Sequence, residues 1–248
     1  MPDSGDITIC GSPVNENPSV KEKIAFIPDE LFFYGTYNLN DMASLYRGFY
    51  PSWNQERFEK LVLAFGLDVK RKIIRFSKGM QKQAAFALAV SSMPELLILD
   101  EPVDGLDPIV RKIVWNFIVD DVAEREMTVL ISSHNLKEIE GICDTVAIMW
   151  EGNVVLQKEL DDLKSNVHKV QVAFSEIPQG AYDNLNILKK SRIGSVDMLI
   201  IRNTAEEIEK TLSPHNPLIL DRLPLTLEEI FIYELGGDED DEYSQIFA

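Results

Sequence analysis

Residues 96–101 are Leu96-Leu97-Ile98-Leu99-Asp100-Glu101, a short apolar run that ends in two carboxylates and is bounded by Pro94 and Pro102. An apolar run of this length predicts a central strand of a parallel sheet, covered on both faces. Open α/β sheets bind ligands just beyond the carboxyl ends of such strands, so we expect the acidic pair at the edge of an active site. Such a pair is typical of nucleotide hydrolysis, in which one Asp holds Mg²⁺ and the adjacent Glu polarises the attacking water.

Taken alone, an apolar run that ends in Asp-Glu is also typical of an ordinary exit from a strand into a loop. Three neighbouring segments favour the catalytic interpretation. Upstream lies Phe76-Ser77-Lys78-Gly79-Met80-Gln81-Lys82-Gln83, which leads into a helix of small residues at 84–90. Downstream lie Gly105-Leu106-Asp107 and then Val129-Leu130-Ile131-Ser132-Ser133-His134.

In order and spacing, the four segments resemble the signature motif, Walker B motif, D-loop and switch histidine of the ATP-binding subunit of ABC transporters. The likeness is greatest to small bacterial exporter-type subunits whose signature is S-K-G-M rather than S-G-G-Q. The resemblance implies an α/β fold with a P-loop NTPase-like ABC ATPase core over residues 1–160, which includes a helical subdomain at about 30–92. It also implies a small α+β accessory region at 161–235, which contains Leu225-Thr226-Leu227-Glu228-Glu229-Ile230-Phe231.

The resemblance implies roles for three residues at the predicted edge of the sheet, which we call the acidic edge: Asp100, Glu101 and His134. Asp100 would organise Mg²⁺, Glu101 would act as the general base, and His134 would position both the γ-phosphate and Glu101. The implied cofactors are ATP and Mg²⁺. The implied partners are a membrane-spanning transporter subunit and a second ATP-binding subunit, identical or different, that pairs head to tail with this chain.

The signature segment predicts a helix that begins at Lys78 and runs towards Ser91, with Ser77 as its N-cap. A helix N-terminus binds anions through its free N–H groups and its partial positive charge. For this segment alone, a capped helix with a surface lysine is the simpler interpretation. The resemblance implies more: Ser77, Lys78 and Gly79 would reach the nucleotide held by the opposite subunit, and Asp107 would link the two sites.

Asp29 follows a predicted strand at Ile24–Ile27 that is stopped by Pro28. The family usually carries the glutamine of the Q-loop at this position. Aspartate is shorter than glutamine, so the resemblance implies a nucleotide-site residue that would ligate Mg²⁺ through a water molecule. The alternative is a simple turn in which Asp29 caps a helix.

The phosphate-binding loop of the family is missing from these residues. That loop requires the pattern G-x-x-x-x-G-K-[ST], and none of the 13 glycines is followed by lysine. Either the protein starts further upstream than Met1, or the subunit has lost its own phosphate site; we expect the former, because the later catalytic residues are present. Because the phosphate-binding loop is missing from these residues, we expect negligible ATP hydrolysis by this chain alone. The alternative function is that of a non-catalytic or regulatory subunit that completes a partner's ATP site.

Composition excludes several classes of protein. The 248 residues carry a net charge of −17, which argues against a nucleic-acid partner because phosphate backbones require a basic surface. Part of the negative charge lies in a predicted acidic tail at 236–248, either solvated or used for interaction. Cys10 and Cys143 match neither a redox nor a metal motif, which favours a reduced, cytoplasmic setting. These residues show neither a charged and apolar leader segment nor an apolar run long enough to cross a membrane. We therefore expect a partner to hold the chain at the inner face of the cell membrane.

An aromatic-rich segment follows Asp29. One helical stripe with i, i+3, i+4, i+7 spacing is expected in the core: Met42, Leu45, Tyr46 and Phe49. Three aromatic residues outside the stripe are instead candidates for contact with the membrane subunit: Phe32, Phe33 and Tyr34. Further along, we expect a crossover helix at 110–122 and short strands at 169–174 and 198–202.

Overall fold

The computed structural model describes residues 3–235, so the predicted acidic tail at 236–248 lies outside the described residues. The chain forms two compact units, which divide between His134 and Asn135. We call them unit 1 and unit 2 and describe each by itself. The predicted domain boundary at residue 160 stays a prediction.

Unit 1 contains five helices, five strands and one 3-10 turn in the part of the chain that the structure describes. In chain order they are β1 (Thr8–Ile9), β2 (Ser12–Pro13), α1 (Pro18–Lys21), β3 (Ile24–Ile27), α2 (Leu39–Phe49), α3 (Gln55–Phe65), the 3-10 turn (Ile73–Arg75), α4 (Lys78–Ser91), β4 (Leu96–Asp100), α5 (Pro108–Arg125) and β5 (Thr128–Ser132). The crossover helix thus exists and is longer at both ends than predicted.

The central sheet of unit 1 is parallel and has the order β3-β4-β5. The prediction of a central strand at Leu96–Asp100 is confirmed, because β4 pairs with a strand on each side. On one face of the sheet, Leu97 and Leu99 are buried in a core that α4 and α5 help to form. Alternation along the strands places every second side chain on that face.

The expectation that this sheet is covered on both faces is wrong for the described residues. Phe26 on β3 is 56% exposed and Leu130 on β5 is 60% exposed. Both α4 and α5 pack on the opposite face, and no described helix of unit 1 covers this one. Whether a sheet is covered on both faces depends on the layers that pack around it. An apolar run alone does not show how many layers there are.

The aromatic stripe of α2 is only partly in the core. Met42 is buried, and Leu45 and Tyr46 pack against the core while partly exposed. Phe49 is 68% exposed, so its assignment to the core is wrong. It is the last residue of α2, and the chain leaves the helix at Tyr50, so its side chain lies beyond the edge of the packed helices.

Asp121 forms a buried ion-pair cluster in unit 1. It lies on α5 and is 1% exposed. Arg57 Nη2, from α3, lies 2.5 Å from Oδ1, and Arg125 Nη2 lies 2.8 Å from Oδ2. Arg57 also stacks over the ring of Phe117. The cluster ties α3 to α5 on the flank of the core.

Unit 2 has an α+β architecture, and the two predicted short strands coincide with β8 and β10. Its elements are α6 (Leu136–Ile139), β6 (Thr145–Trp150), β7 (Asn153–Glu159), α7 (Leu160–Asn166), β8 (His168–Ala173), β9 (Ile187–Ile193), β10 (Val196–Ile201), α8 (Ala205–Leu212), a 3-10 turn (Ser213–His215), β11 (Ile219–Leu223) and α9 (Leu227–Leu235). The antiparallel sheet β11-β8-β10-β9 packs against α8, and the hairpin β6-β7 packs against α9. Within residues 3–235 no helix has the length and apolar character needed to cross a membrane.

Candidate functional site

The candidate site lies at the carboxyl ends of β4 and β5. The two strands are parallel, and their register pairs Asp100 with Ser132. The residues that follow, Glu101 and His134, therefore emerge at the same edge of the sheet. The structure thus brings together the three residues that were assigned to the acidic edge from sequence.

Asp100 is oriented by a residue that the sequence analysis did not single out. The hydroxyl of Ser132 donates a hydrogen bond to Oδ1 of Asp100 at 2.5 Å. Alignment of the apolar runs of β4 and β5 as parallel neighbours would have placed Ser132 opposite Asp100. The contact fixes one oxygen of the carboxylate at the edge of the sheet.

Glu101 is held by both its backbone and its side chain. Its φ of +46° lies in the left-handed region, which is unfavourable for residues with a Cβ. Its backbone N–H donates to the carbonyl oxygen of Ser132 at 3.1 Å. Its Oε1 accepts the backbone N–H of His134 at 2.8 Å and lies 2.7 Å from Nδ1 of the same residue. A carboxylate only accepts hydrogen bonds, so we assign the proton to Nδ1.

The signature segment has the predicted cap. Helix α4 begins at Lys78, and the Ser77 hydroxyl accepts the backbone N–H of Met80 at 3.2 Å. Lys78 is exposed in the first turn. A Cβ on Gly79 would lie 3.5 Å from the carbonyl oxygen of Gly105, so this end of the helix lies against the loop that precedes α5.

Asp107 is the N-cap of α5. Its Oδ1 accepts the backbone N–H groups of Ile109 at 3.0 Å and Val110 at 3.1 Å. The residue is exposed on the surface of unit 1. The carboxylate therefore stabilises the start of this helix.

Asp29 pairs with a lysine that the sequence analysis also passed over. Lys82 Nζ lies 3.0 Å from Oδ1 of Asp29 and donates a second hydrogen bond to the carbonyl oxygen of Glu101 at 2.9 Å. Asp29 thus lies near the acidic edge. It does not cap a helix, because the next helix begins at Leu39 with Asn38 as its N-cap.

The donor set fits a magnesium ion that arrives with a nucleotide. Magnesium is usually bound through one or two carboxylates together with phosphate oxygens and water. Asp100 supplies such a carboxylate beside Glu101. Among residues 3–235 there is no group of three His, Cys, Asp or Glu side chains that could hold a metal by themselves.

Comparisons with known proteins show which family this chain resembles. The family model described as ABC transporter matches residues 1–104. ABC transporter ATP-binding protein YtrB of Bacillus subtilis (strain 168) is 32% identical over 235 residues, which are 95% of this chain and 80% of that protein. Bacitracin transport ATP-binding protein BcrA of Enterococcus faecalis is 34% identical over 176 residues, or 68% of this chain, but the match spans only 56% of its length.

A solved structure supports the same fold. A protein described as the ATP binding subunit of an ABC transporter matches with a TM-score of 0.60 and 27% identity, over 66% of this chain and 70% of that one. The predicted α/β fold of the ABC ATPase type is therefore confirmed.

Proposed function

The chain belongs to the family of ABC transporter ATP-binding proteins, and we propose that it is a subunit that couples ATP binding and hydrolysis to transport through a partner membrane subunit. The observation that carries this proposal is the edge at which Glu101 contacts His134 and Asp100 contacts Ser132. A carboxylate for the metal, a base and orienting donors meet there, as hydrolysis of a phosphoanhydride requires.

In the proposed reaction, each residue of the edge has one task. Bound Mg²⁺ and ATP would supply the phosphoanhydride and the charge that neutralises it. Asp100, which is held by the hydroxyl of Ser132, would ligate the Mg²⁺ ion. Glu101 accepts the proton of the attacking water, and His134 keeps the carboxylate of Glu101 in place.

The N-terminus of α4 is the second part of the proposed function. Helix α4 spans 14 residues, so its first turn presents free N–H groups and a partial positive charge. Lys78 adds a cation there. We infer that Ser77, Lys78 and Gly79 bind the phosphates of a nucleotide held by a second ATP-binding subunit, with Asp107 at the contact between the two.

A phosphate-binding loop must be supplied from outside these 248 residues, since no glycine in them precedes a lysine. We therefore expect the purified chain to hydrolyse ATP at a negligible rate by itself. The intact mass of the protein from its native cells, compared with 28.1 kDa, tests which polypeptide carries this loop. A mass larger by several kDa would place the loop on the same polypeptide, and an equal mass would place it on a partner.

The contact with the membrane subunit is assigned to exposed aromatic residues after β3. Phe32 is 80% exposed, and its ring lies edge-on to that of Tyr34 at 5.7 Å. Phe33 packs against the core and is a weaker candidate. This contact would hold the chain on the cytoplasmic side of the membrane. Phe32→Ser with Tyr34→Ser should reduce copurification of the membrane subunit, whereas Phe49→Ser, at another exposed aromatic residue, on α2, should not.

Glu101→Gln tests the proposed function in the complex isolated from native membranes through a tag on this chain. We expect ATP turnover to fall by at least about a hundredfold, because a general base contributes roughly 10²–10⁴ to the rate. Glu95→Gln is the matched control, since Glu95 precedes the same strand at its opposite end and pairs at the surface with Lys23. Unchanged turnover in Glu101→Gln would instead support a regulatory subunit that completes a partner's site.

A further inference from the structure

Lys82 is a nearly buried cation that joins three segments of unit 1. It lies on α4, and its side chain is 13% exposed. Its ammonium group donates to Oδ1 of Asp29 at 3.0 Å and to the carbonyl oxygen of Glu101 at 2.9 Å. One side chain thus connects α4 to the chain just beyond the ends of β3 and β4.

The backbone of Glu101 needs such a connection. A positive φ in a residue with a Cβ persists only where the surroundings fix it. Three hydrogen bonds hold the backbone of Glu101: its N–H donates to the carbonyl oxygen of Ser132 at 3.1 Å, and its carbonyl oxygen accepts from Lys82 Nζ at 2.9 Å and from the Asp104 N–H at 3.4 Å. Lys82 therefore supplies the shortest of the three backbone anchors at this residue, and the only one of them that comes from a side chain.

The direction of the Glu101 side chain depends on those anchors. The backbone conformation sets where the Cβ points, and from there Oε1 reaches both the N–H and Nδ1 of His134. The contact of Lys82 is with the carbonyl oxygen and not with the carboxylate. This contact therefore acts on the position of the carboxylate through the backbone.

Asp29 makes the position of Lys82 possible. An ammonium group that is largely removed from water needs a nearby negative charge. Asp29, two residues beyond the end of β3, supplies it. This contact gives Asp29 a task in the described structure other than the ligation of a metal.

We propose that Lys82 is a positioning residue, which clamps the segment after β3 and helix α4 onto the backbone of Glu101 and thereby holds the Glu101 carboxylate against His134. The importance of this clamp for turnover rests on the proposed function. The clamp itself is a property of this chain and can be tested without nucleotide.

The amide proton of His134 is the direct reporter, because its chemical shift records the hydrogen bond to Oε1. In the full chain, we expect Lys82→Met to move this signal towards its position in Glu101→Ala. Lys82→Arg, which keeps the charge and donors, should leave it near the unmutated position. Asp29→Asn should give an intermediate shift, since Lys82 can still reach the carbonyl oxygen of Glu101.

Lys112→Met is the matched control, because Lys112 is exposed on α5 and the side-chain change is the same. It should leave the His134 signal unmoved. Unchanged amide signals along β5 would show that Lys82→Met is folded. A folded Lys82→Met variant with an unmoved His134 signal would overturn the clamp.

Turnover of the isolated complex separates this inference from the proposed function. We expect Lys82→Met to lower kcat by about ten- to a hundredfold with little change in the KM for ATP, since small displacements of catalytic groups have effects of this size. Lys82→Arg should restore most of the rate. A moved His134 signal with undiminished turnover would count against Glu101 as the base and so against the proposed function, while the clamp would stand.

Discussion

His134 contacts a single oxygen of Glu101 in two ways, through its backbone N–H at 2.8 Å and through Nδ1 at 2.7 Å. The backbone contact requires only the path of the chain after β5, whereas the ring contact requires this side chain. With the proton on Nδ1, the neutral imidazole has an acceptor at Nε2, and only the protonated ring could donate there to a phosphate oxygen. The two contacts can therefore be separated by mutation.

We predict that His134→Ala lowers the kcat of the isolated complex by about a hundredfold, within the range known for groups that assist proton transfer. The backbone N–H still contacts Glu101, so some base function should remain, and Glu101→Gln should be the more severe change. The measurement is steady-state ATP turnover. His215→Ala, in unit 2 and outside any motif, is the control. A rate equal to that of the unmutated complex would show that the ring contact is dispensable.

Ser77 should contribute to stability as well as to nucleotide contact. Its hydroxyl accepts the N–H of Met80, and loss of an N-cap oxygen costs about 1 kcal/mol. We expect Ser77→Ala to lower the free energy of unfolding of unit 1 by this amount, measured by urea titration of the full chain. Ser77→Thr, which keeps the hydroxyl, should lower the free energy of unfolding by only a few tenths of that amount. Equal losses in both variants would argue against the cap.

Asp121 should be far more sensitive than its neighbour on α5. Removal of the carboxylate leaves Arg57 and Arg125 without the charge that both contact, and breaking a buried ion pair in this way costs about 3–5 kcal/mol. We expect Asp121→Ala to destabilise unit 1 on that scale in urea. Asp120→Ala removes an exposed carboxylate from the adjacent position and should change stability by less than about 0.5 kcal/mol.

Asp197 should make unit 2 sensitive to acid. It is buried on β10, where the Tyr182 hydroxyl donates to Oδ2 at 2.8 Å and Lys190 Nζ lies 3.3 Å away. Burial raises the pKa of this carboxyl, but the hydrogen bonds from Tyr182 and Lys190 and the charges of Lys190 and Arg192 outweigh burial and hold the pKa below its ordinary value of 3.8. The group therefore favours the folded state only when it is ionised.

A lowered folded-state pKa fixes the sign of the pH effect. The stabilisation from Asp197 is present above the unfolded-state pKa, near pH 4, and is lost as the pH falls through the lower folded-state value. Hydrogen exchange of the β8 and β10 amides should show this loss in the unmutated chain. In Asp197→Asn, protection should be weaker at neutral pH and fall less on acidification, whereas Asp221→Asn, at an exposed position, should behave like the unmutated chain.

The sequence placed Asp100, Glu101 and His134 at one sheet edge because buried parallel strands and their order can be inferred from apolar runs. Lys82 could not be assigned in this way. A lysine in the second turn of a helix is ordinarily a surface residue, and only the packing of α4 beside the end of β3 turns it inward. The left-handed conformation of Glu101 could not be predicted either, since it depends on hydrogen bonds with Ser132 on β5 and Lys82 on α4.

The two faces of the central sheet should respond differently to the same substitution. Leu97 is fully buried between β4 and the helices, whereas Leu130 on β5 is 60% exposed. We expect Leu97→Ala to lower the free energy of unfolding of the full chain by about 2–5 kcal/mol and Leu130→Ala by less than about 1 kcal/mol, since little apolar area returns to water there. Urea titration measures both. Similar losses for the two variants would mean that the face bearing Phe26 and Leu130 is packed in solution.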